Sequence, residues 1–351
     1  MNTPNIKKEP NILHVYPQSH IKNFHHSGGS KGIKIFNDFF ENNSINHENC
    51  IIEKKSDLVL FTKLKSMDLS LYSHIFIHYP MFPLSMLYVK IFYPKLKIVS
   101  RSHNAEFPHW LQHSYLELKN YRFKKSLKFF FIALRNGFGE LVMGVFARYI
   151  LAITEWEANL YWKKFAFSKI LYAPYYLSDM EKFENNELKK NQCICLMSPN
   201  YSSFLHDSAN NFYKLVSSVY KSTEWNFVIT GEDLNLDFIS DAPIEKLGFV
   251  DDISSLYKQS KSIAVLTTYG YGFKTKILEA AAYGCWSLVP MKNFSRIPIN
   301  VRPFCISVDL ESPLSFKEAL RLSKKNIPNF SQQNDELKSQ FYESLQTSLL
   351  K

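Results

Sequence analysis

The sequence predicts an α/β protein of two Rossmann-like domains facing each other across a cleft. Three observations predict it. Short apolar, β-rich runs alternate with longer helical stretches. The alternation breaks at a polar segment, 174–190, and then restarts. The length of 351 residues fits two domains, at about 100–200 residues each. Alternation of this kind argues for parallel sheets covered by helices on both faces. Ligands of such sheets sit at the carboxyl ends of the strands.

Taken in order, Ile12–Tyr16 (ILHVY) reads as the first buried strand, followed by the loop PQSHIKNFHHSGGSKG and a helix over Ile33–Asn42. Leu58–Phe61, Ile75–His78 and Lys97–Ser100 read as further strands, with a helix over Pro83–Phe92. Ile150–Ile153 is a strand that enters a helix capped by Thr154. These elements make an N-terminal domain of residues 1–173, and the charged segment 174–190 is a linker. The second domain, 191–330, has strands at Cys193–Met197, Trp225–Thr230, Ile263–Leu266, Trp286–Pro290 and Ile306–Val308. Its helices fall at Asn210–Tyr220, Ser254–Gln259 and Lys276–Tyr283, and 331–351 reads as a C-terminal surface helix.

A hydrophobic fraction of 46% and a charged fraction of 21% argue against disorder. The 29 Phe and 20 Tyr accompany many Lys and Asn, the habit of an AT-rich genome. A formal net charge of +10 favours anionic partners. Cys50, Cys193, Cys195, Cys285 and Cys305 form neither a disulfide framework nor a zinc pattern. The start, MNTPNIKKEPN, lacks the apolar core of a signal peptide. The most apolar stretch, Phe129–Ile153, is broken by Arg135, Glu140 and Arg148. The expected location is therefore cytoplasmic, peripheral at the inner face of a membrane rather than spanning it.

The strongest chemical signal is TTYGYGFKTKILEAAAYGCWSLVP, Thr267–Pro290. A strand runs into a loop bearing Gly270, Tyr271, Gly272 and Phe273, with a helix expected to begin near Lys274. Free N–H groups at a helix start, a glycine that admits close approach, and the charges of Lys274 and Lys276 suit a diphosphate. Glu279, about one turn on, suits the two hydroxyls of a ribose. The Gly-Lys-Thr order of a Walker loop is missing. An ordinary strand-to-helix turn with a solvated basic face is the competing account.

GYGFKTKILEA resembles the donor-binding motif of retaining GT-B glycosyltransferases of the family 4, or group 1, type, in the branch that reads Gly-x-Gly-x-Lys-x-Lys-x-x-Glu-Ala. Another branch has two glutamates eight positions apart; here Glu279 matches the second, and Tyr271 stands at the first. The resemblance covers roughly residues 11–310. It implies a GT-B fold, with Gly270, Tyr271, Gly272, Phe273, Lys274, Thr275 and Lys276 binding the donor and Glu279 on its ribose. FVITGED (with Gly231) and GFVDDISSLYKQSKSIAVL (with Phe249 and Val250) resemble the segments around the nucleotide base. The Arg and Lys that many relatives use in the opening loop of the second domain are not evident in LMSPNYSSFLHDSANNFYKL.

In the first domain, Gly28 and Gly29 resemble the family's flexible loop near the donor phosphates. RSHNAEFPHW resembles a motif whose His contacts the donor sugar or its phosphate end. That implies a catalytic role for His103, with Arg101 and Asn104 on the donor and Glu106 on the acceptor side. HYPMFP resembles the acceptor-side loop and contributes His78; TEWEA is mainly structural.

The resemblance further implies a metal-independent transfer from a nucleotide sugar to a saccharide or lipid-linked acceptor with retention, in surface-polysaccharide synthesis. The basic, apolar stretch 119–148 suits an anionic membrane surface. No nucleic-acid motif accompanies the positive charge. Two other readings compete: a nucleotide-sugar epimerase of the same fold, and a degenerate, non-catalytic nucleotide-sugar binder.

Overall fold

The computed structural model describes residues 11–22, 28–180, 189–197, 203–231 and 242–350. Parts of the segments read above, including Asp233 and much of the loop before Phe204, lie outside them.

The first half gives β1 (Ile12–Pro17), α1 (Ser19–Lys22), α2 (Gly28–Asn42), β2 (His47–Ile52), α3 (Asp57–Lys65), β3 (His74–His78) and α4 (Pro83–Phe92). It continues through β4 (Lys97–Arg101), α5 (Glu106–Lys119), α6 (Phe123–Phe146), β5 (Tyr149–Ala152) and β6 (Lys169–Tyr172). These strands form one parallel six-stranded sheet in the order β2-β1-β3-β4-β5-β6. Leu13, Val15, Ile75, Ile77 and Ile98 point to one core face. By the two-residue period of a strand, His14, Phe76, His78 and Arg101 occupy the other.

The second half gives β7 (Lys190–Cys195), α7 (Ser203–Val219), β8 (Asn226–Ile229), β9 (Ile244–Lys246), α8 (Ser254–Gln259) and β10 (Ser260–Ala264). Then follow α9 (Lys276–Ala282), β11 (Trp286–Pro290), α10 (Met291–Phe294), β12 (Cys305–Val308), α11 (Pro313–Leu322) and α12 (Ser331–Leu349). The second sheet, again parallel, is ordered β12-β11-β10-β7-β8-β9, with a core on each face. Its order reverses between β7 and β10, so the loop after β10 lies where such sheets bind ligands.

The chain divides into two compact units. One holds Met1–Pro108, Phe131–Tyr175 and Lys338–Lys351; the other holds His109–Phe130 and Tyr176–Leu337.

Several expected elements are corrected. Leu58–Phe61 is not a strand but the first half of α3, in which Leu60 and Leu64 are buried at helical spacing. A four-residue apolar run does not distinguish the two states. The second strand is instead β2, HENCII, an edge strand too polar to stand out. Gly28 and Gly29 open helix α2 instead of lying in a loop. Helix α12 is no mere surface helix: Leu337, Phe341, Leu345 and Leu349 are buried, and Phe341 packs on Phe36 and Phe39. Helix α9 begins at Lys276, as the alternation of elements predicts, so Lys274 lies in the loop before it; the helix spans seven residues.

Helix α6 is amphipathic in an unusual sense. Phe123, Leu127, Phe130, Phe131, Leu134, Phe138, Leu141 and Val145 are all exposed. At 100° per residue they form a stripe about 100° wide. By length and composition the helix could cross a membrane. Its other side is packed, however: Gly139 lies against the Pro80 carbonyl with no room for a Cβ. Glu140 accepts hydrogen bonds from the N–H groups of Glu106 and Phe107 at 2.7 and 3.1 Å, capping α5, and from the Tyr161 hydroxyl.

Candidate active site

In the second unit the chain leaves β10 into the loop 265–275, which is held from below. The Asp207 carboxylate accepts from Thr268 N at 3.1 Å, Ser208 Oγ accepts from Leu266 N, and Asn211 donates to Leu266 O. These three polar side chains lie along one side of α7. Asn293 donates to Thr267 O at 2.8 Å. Gly270 takes φ +88°, which L side chains rarely adopt. Its N–H donates to Gln112 Oε1 at 2.7 Å. The amide thus already presents itself to an oxygen acceptor.

Two cations stand at this loop. Arg296 lies over the Tyr271 ring at 4.2 Å and donates to Gly270 O at 3.1 Å. Lys274 approaches the Phe204 ring, 5.9 Å from its centroid. Burial, and then the charge of Arg296, push its ammonium down to about 8. No carboxylate among the described residues forms an ion pair with Lys274. Phe204 also stacks on His113, centroids 3.7 Å apart, and on Tyr269. Beneath the loop a cavity of about 40 Å³ is lined by Thr267, Gly272, Phe273, Lys274, Asn293 and Arg296. That is room for about one water, too little for a diphosphate.

The other expected donor residues of this unit divide in two. Lys276 Nζ donates to Leu196 O, the carbonyl just past β7, and Thr275 stands at the N-cap position of α9 without a side-chain capping bond. Glu279 sits in the first turn of α9, nearly buried, and accepts from the Tyr257 hydroxyl at 3.3 Å. Gly231 and Gly248 both take positive φ, and the N–H of Gly231 donates to Gly248 O at 2.6 Å. This pairing joins the two expected base-side segments, with Phe249 exposed and Val250 half-exposed beside them.

In the first unit the carboxyl ends of β3 and β4 gather the histidine motif. His103 Nδ1 is 2.9 Å from the Tyr175 hydroxyl; its Nε2 is 2.9 Å from His78 Nδ1. His78 Nε2 is in turn 2.8 Å from His14 Nε2. Burial holds all three imidazoles far below the usual histidine range, His14 at about 3. The rings are therefore neutral. His103 also stacks on Tyr79, a residue at φ +77°.

Arg101 does not stand open to a phosphate. It is fully buried, with its guanidinium among Phe36, Tyr175 and Phe341 and one N–H donating to the Ala173 carbonyl. Asn104 donates to Glu106 at 3.1 Å, so those two neighbours meet. His78 is a buried link in the chain, not an exposed loop residue.

Sequence reasoning missed Gln112, Asp207, Arg296, His14 and Tyr175. For His14 a signal existed: a histidine at the centre of the apolar strand ILHVY. The others reach their places through tertiary contacts. Among the described residues, no three His, Cys, Asp or Glu side chains converge to hold a metal.

The fold set out above is the two-domain α/β architecture of GT-B glycosyltransferases. The chain is similar to the sucrose-phosphate synthase of Thermosynechococcus elongatus, at 9% identity and TM-score 0.63, over 97% of this chain and 96% of that one. It is similar to Anabaena HepE in complex with UDP-glucose, at 12% identity and TM-score 0.57, over 97% and 98%. It is also similar to S. aureus MnaA with UDP, at 14% identity and TM-score 0.50, over 95% and 91%. Residues 201–290 match the family described as Glycosyl transferases group 1. That stretch contains the loop and Glu279. No curated protein matches in sequence.

Proposed function

We propose that this protein is a glycosyltransferase that takes its sugar from a nucleotide-sugar donor, with the diphosphate on loop 267–275 and the ribose on Glu279. The observation that carries the reading is the pairing of Lys274 and Arg296 beside the Gly270 amide, inside the segment that matches group 1 glycosyltransferases. Two half-buried cations at a strand-end loop favour a dianionic ligand, whose oxygens take the place that Gln112 Oε1 holds. The same groups stabilise the charge that grows on the leaving diphosphate, and the reading needs no metal. Tyr271, where a branch of the family has a carboxylate, anchors Arg296 and so adds positive charge to the loop.

Transfer with retention, a role for His103 at the sugar end of the donor, and a surface-polysaccharide acceptor follow the resemblance of the motifs. The exposed stripe of α6 supports a lipid-linked acceptor and a peripheral position on the cytoplasmic side of a membrane. Lys124, Lys128 and Arg135 border the stripe, an arrangement suited to an anionic bilayer.

Titration calorimetry with UDP-, GDP- and ADP-sugars, with and without EDTA, tests the donor site. One nucleotide class should bind in both conditions. Glu279→Ala should weaken it by about 100-fold, two hydrogen bonds to a charged group being lost. Equal affinity in the variant, or no binding to any donor, would remove the reading.

A further inference from the structure

The three histidines and Tyr175 form a single line of hydrogen bonds, and its direction can be derived. A neutral imidazole has one N–H and one lone-pair nitrogen. Each ring that donates on one side must accept on the other. The line therefore has two allowed polarities: every proton points toward His14, or every proton points toward Tyr175.

The ends decide between them. At one end the Arg101 charge lies beside Tyr175 and acts against burial to stabilise negative charge on the phenolic oxygen. A guanidinium has only donors, so it favours the oxygen's lone pairs on its own side and turns the hydroxyl proton toward His103 Nδ1, 2.9 Å away. At the other end His14 Nδ1 and Asn37 Oδ1 are both buried without a well-formed hydrogen bond, and the side chains of Asn49 and Asn37 both favour a proton on the ring. An amide oxygen is satisfied by an N–H and not by a lone pair. Both ends favour protons that point toward His14.

We propose that His14 and His78 are positioning residues that fix His103 in its Nε2–H tautomer, through a chain running Tyr175 to His103 to His78 to His14. The functional part rests on the reading that His103 serves the donor; the chain itself does not. The tautomer of one histidine nitrogen is set by the bond at the other, so a change at His14 reaches His103 two rings away. Both nitrogens of His103 are engaged. A ligand consequently meets this residue through its main-chain carbonyl or a ring edge, and the chain holds that surface in place.

The test compares two substitutions with opposite packing and bonding. His14→Phe suits its neighbours, since Phe36, Phe40 and Phe76 surround the ring. It deletes the acceptor for His78 Nε2–H. His14→Gln packs worse but keeps an acceptor oxygen. Nitrogen-15 spectra of histidine-labelled protein read the tautomers directly.

In the natural protein, and in His14→Gln, His103 and His78 should carry protons on Nε2. His14→Phe should reverse them to Nδ1, because an unpaired lone pair costs less than an unpaired buried N–H. Release of nucleoside diphosphate from the donor selected by calorimetry should fall roughly 10-fold in kcat for His14→Phe, with KM nearly unchanged, and recover in His14→Gln. A protonated Nδ1 on His103 in the natural protein overturns the polarity. Unchanged tautomers in His14→Phe, or a kcat no lower than that of His14→Gln, overturn the positioning role. The spectra decide the chain even if no donor is turned over, so its failure is distinct from failure of the transferase reading.

Discussion

In the first unit His78, Arg101 and His103 sit on or just beyond strands and are shut away from water; in the second Lys274 and Arg296 sit outside strands and helices and stay half-exposed. The difference shows in their protons. Burial raises Glu140 and Glu157 to about 8. Burial also keeps His14, His78 and His103 uncharged. Lys274 feels the same force in the opposite chemical sense and is lowered to about 8. Low polarity favours the neutral form of acid and base alike. In the first unit that preference is satisfied internally, by hydrogen bonds between neutral groups. In the second, under the proposed function, an anion at the loop reverses it.

Lys274→Ala should break this contrast most strongly. Loss of a charged contact of about 1.5–3 kcal/mol weakens nucleoside diphosphate binding by about 10–100-fold near pH 7. The sign with pH follows from the lowered value. Diphosphate favours the ammonium and raises its pKa in the complex. Affinity is then level below about 8 and falls above it, by up to about tenfold per pH unit. Calorimetry at a series of pH values should find the fall in the natural protein and none in Lys274→Ala. A level profile in both would mean that Lys274 does not meet the phosphates.

The stripe on α6 offers a second comparison, an apolar surface left open beside those shut in. Lys124→Glu with Lys128→Glu should reduce binding to vesicles containing anionic lipid by roughly 30-fold, at about 1 kcal/mol per cation removed. Neutral vesicles should discriminate far less. Equal binding of both proteins to anionic vesicles would leave the stripe without a membrane role.

The smallest effect concerns stability. Glu157 has a folded value raised from 4.5 to about 8. The folded state thus holds a proton that the unfolded state has lost. Its contribution is full below the unfolded value and is lost as pH rises through the folded one. Glu157→Gln keeps the neutral shape and removes the titration. Urea unfolding at pH 7 and pH 8 should give a difference about 1 kcal/mol narrower in the variant. An unchanged difference would place the titration on other groups.

Much of the fold was legible along the chain. Buried parallel strands are continuous apolar runs, so ILHVY, IFIH and FVIT stood out, whereas the polar edge strand HENCII did not. The loop after β10 was legible because glycines and lysines at fixed spacing after a strand stand out locally. The helix after it begins at Lys276, which makes Lys274 a loop cation. By itself, then, the sequence determined the alternation, the two sheets and the order of the motifs, because these depend on near neighbours. Only the tertiary structure decided that Arg296 joins Lys274, that Gln112 faces the Gly270 amide, and that His14, His78, His103 and Tyr175 form one chain. Those partners lie between 22 and 158 positions apart. Hydrogen bonds act over about 3 Å, so their pairing depends on how strands and loops come together in space, which local spacing does not encode.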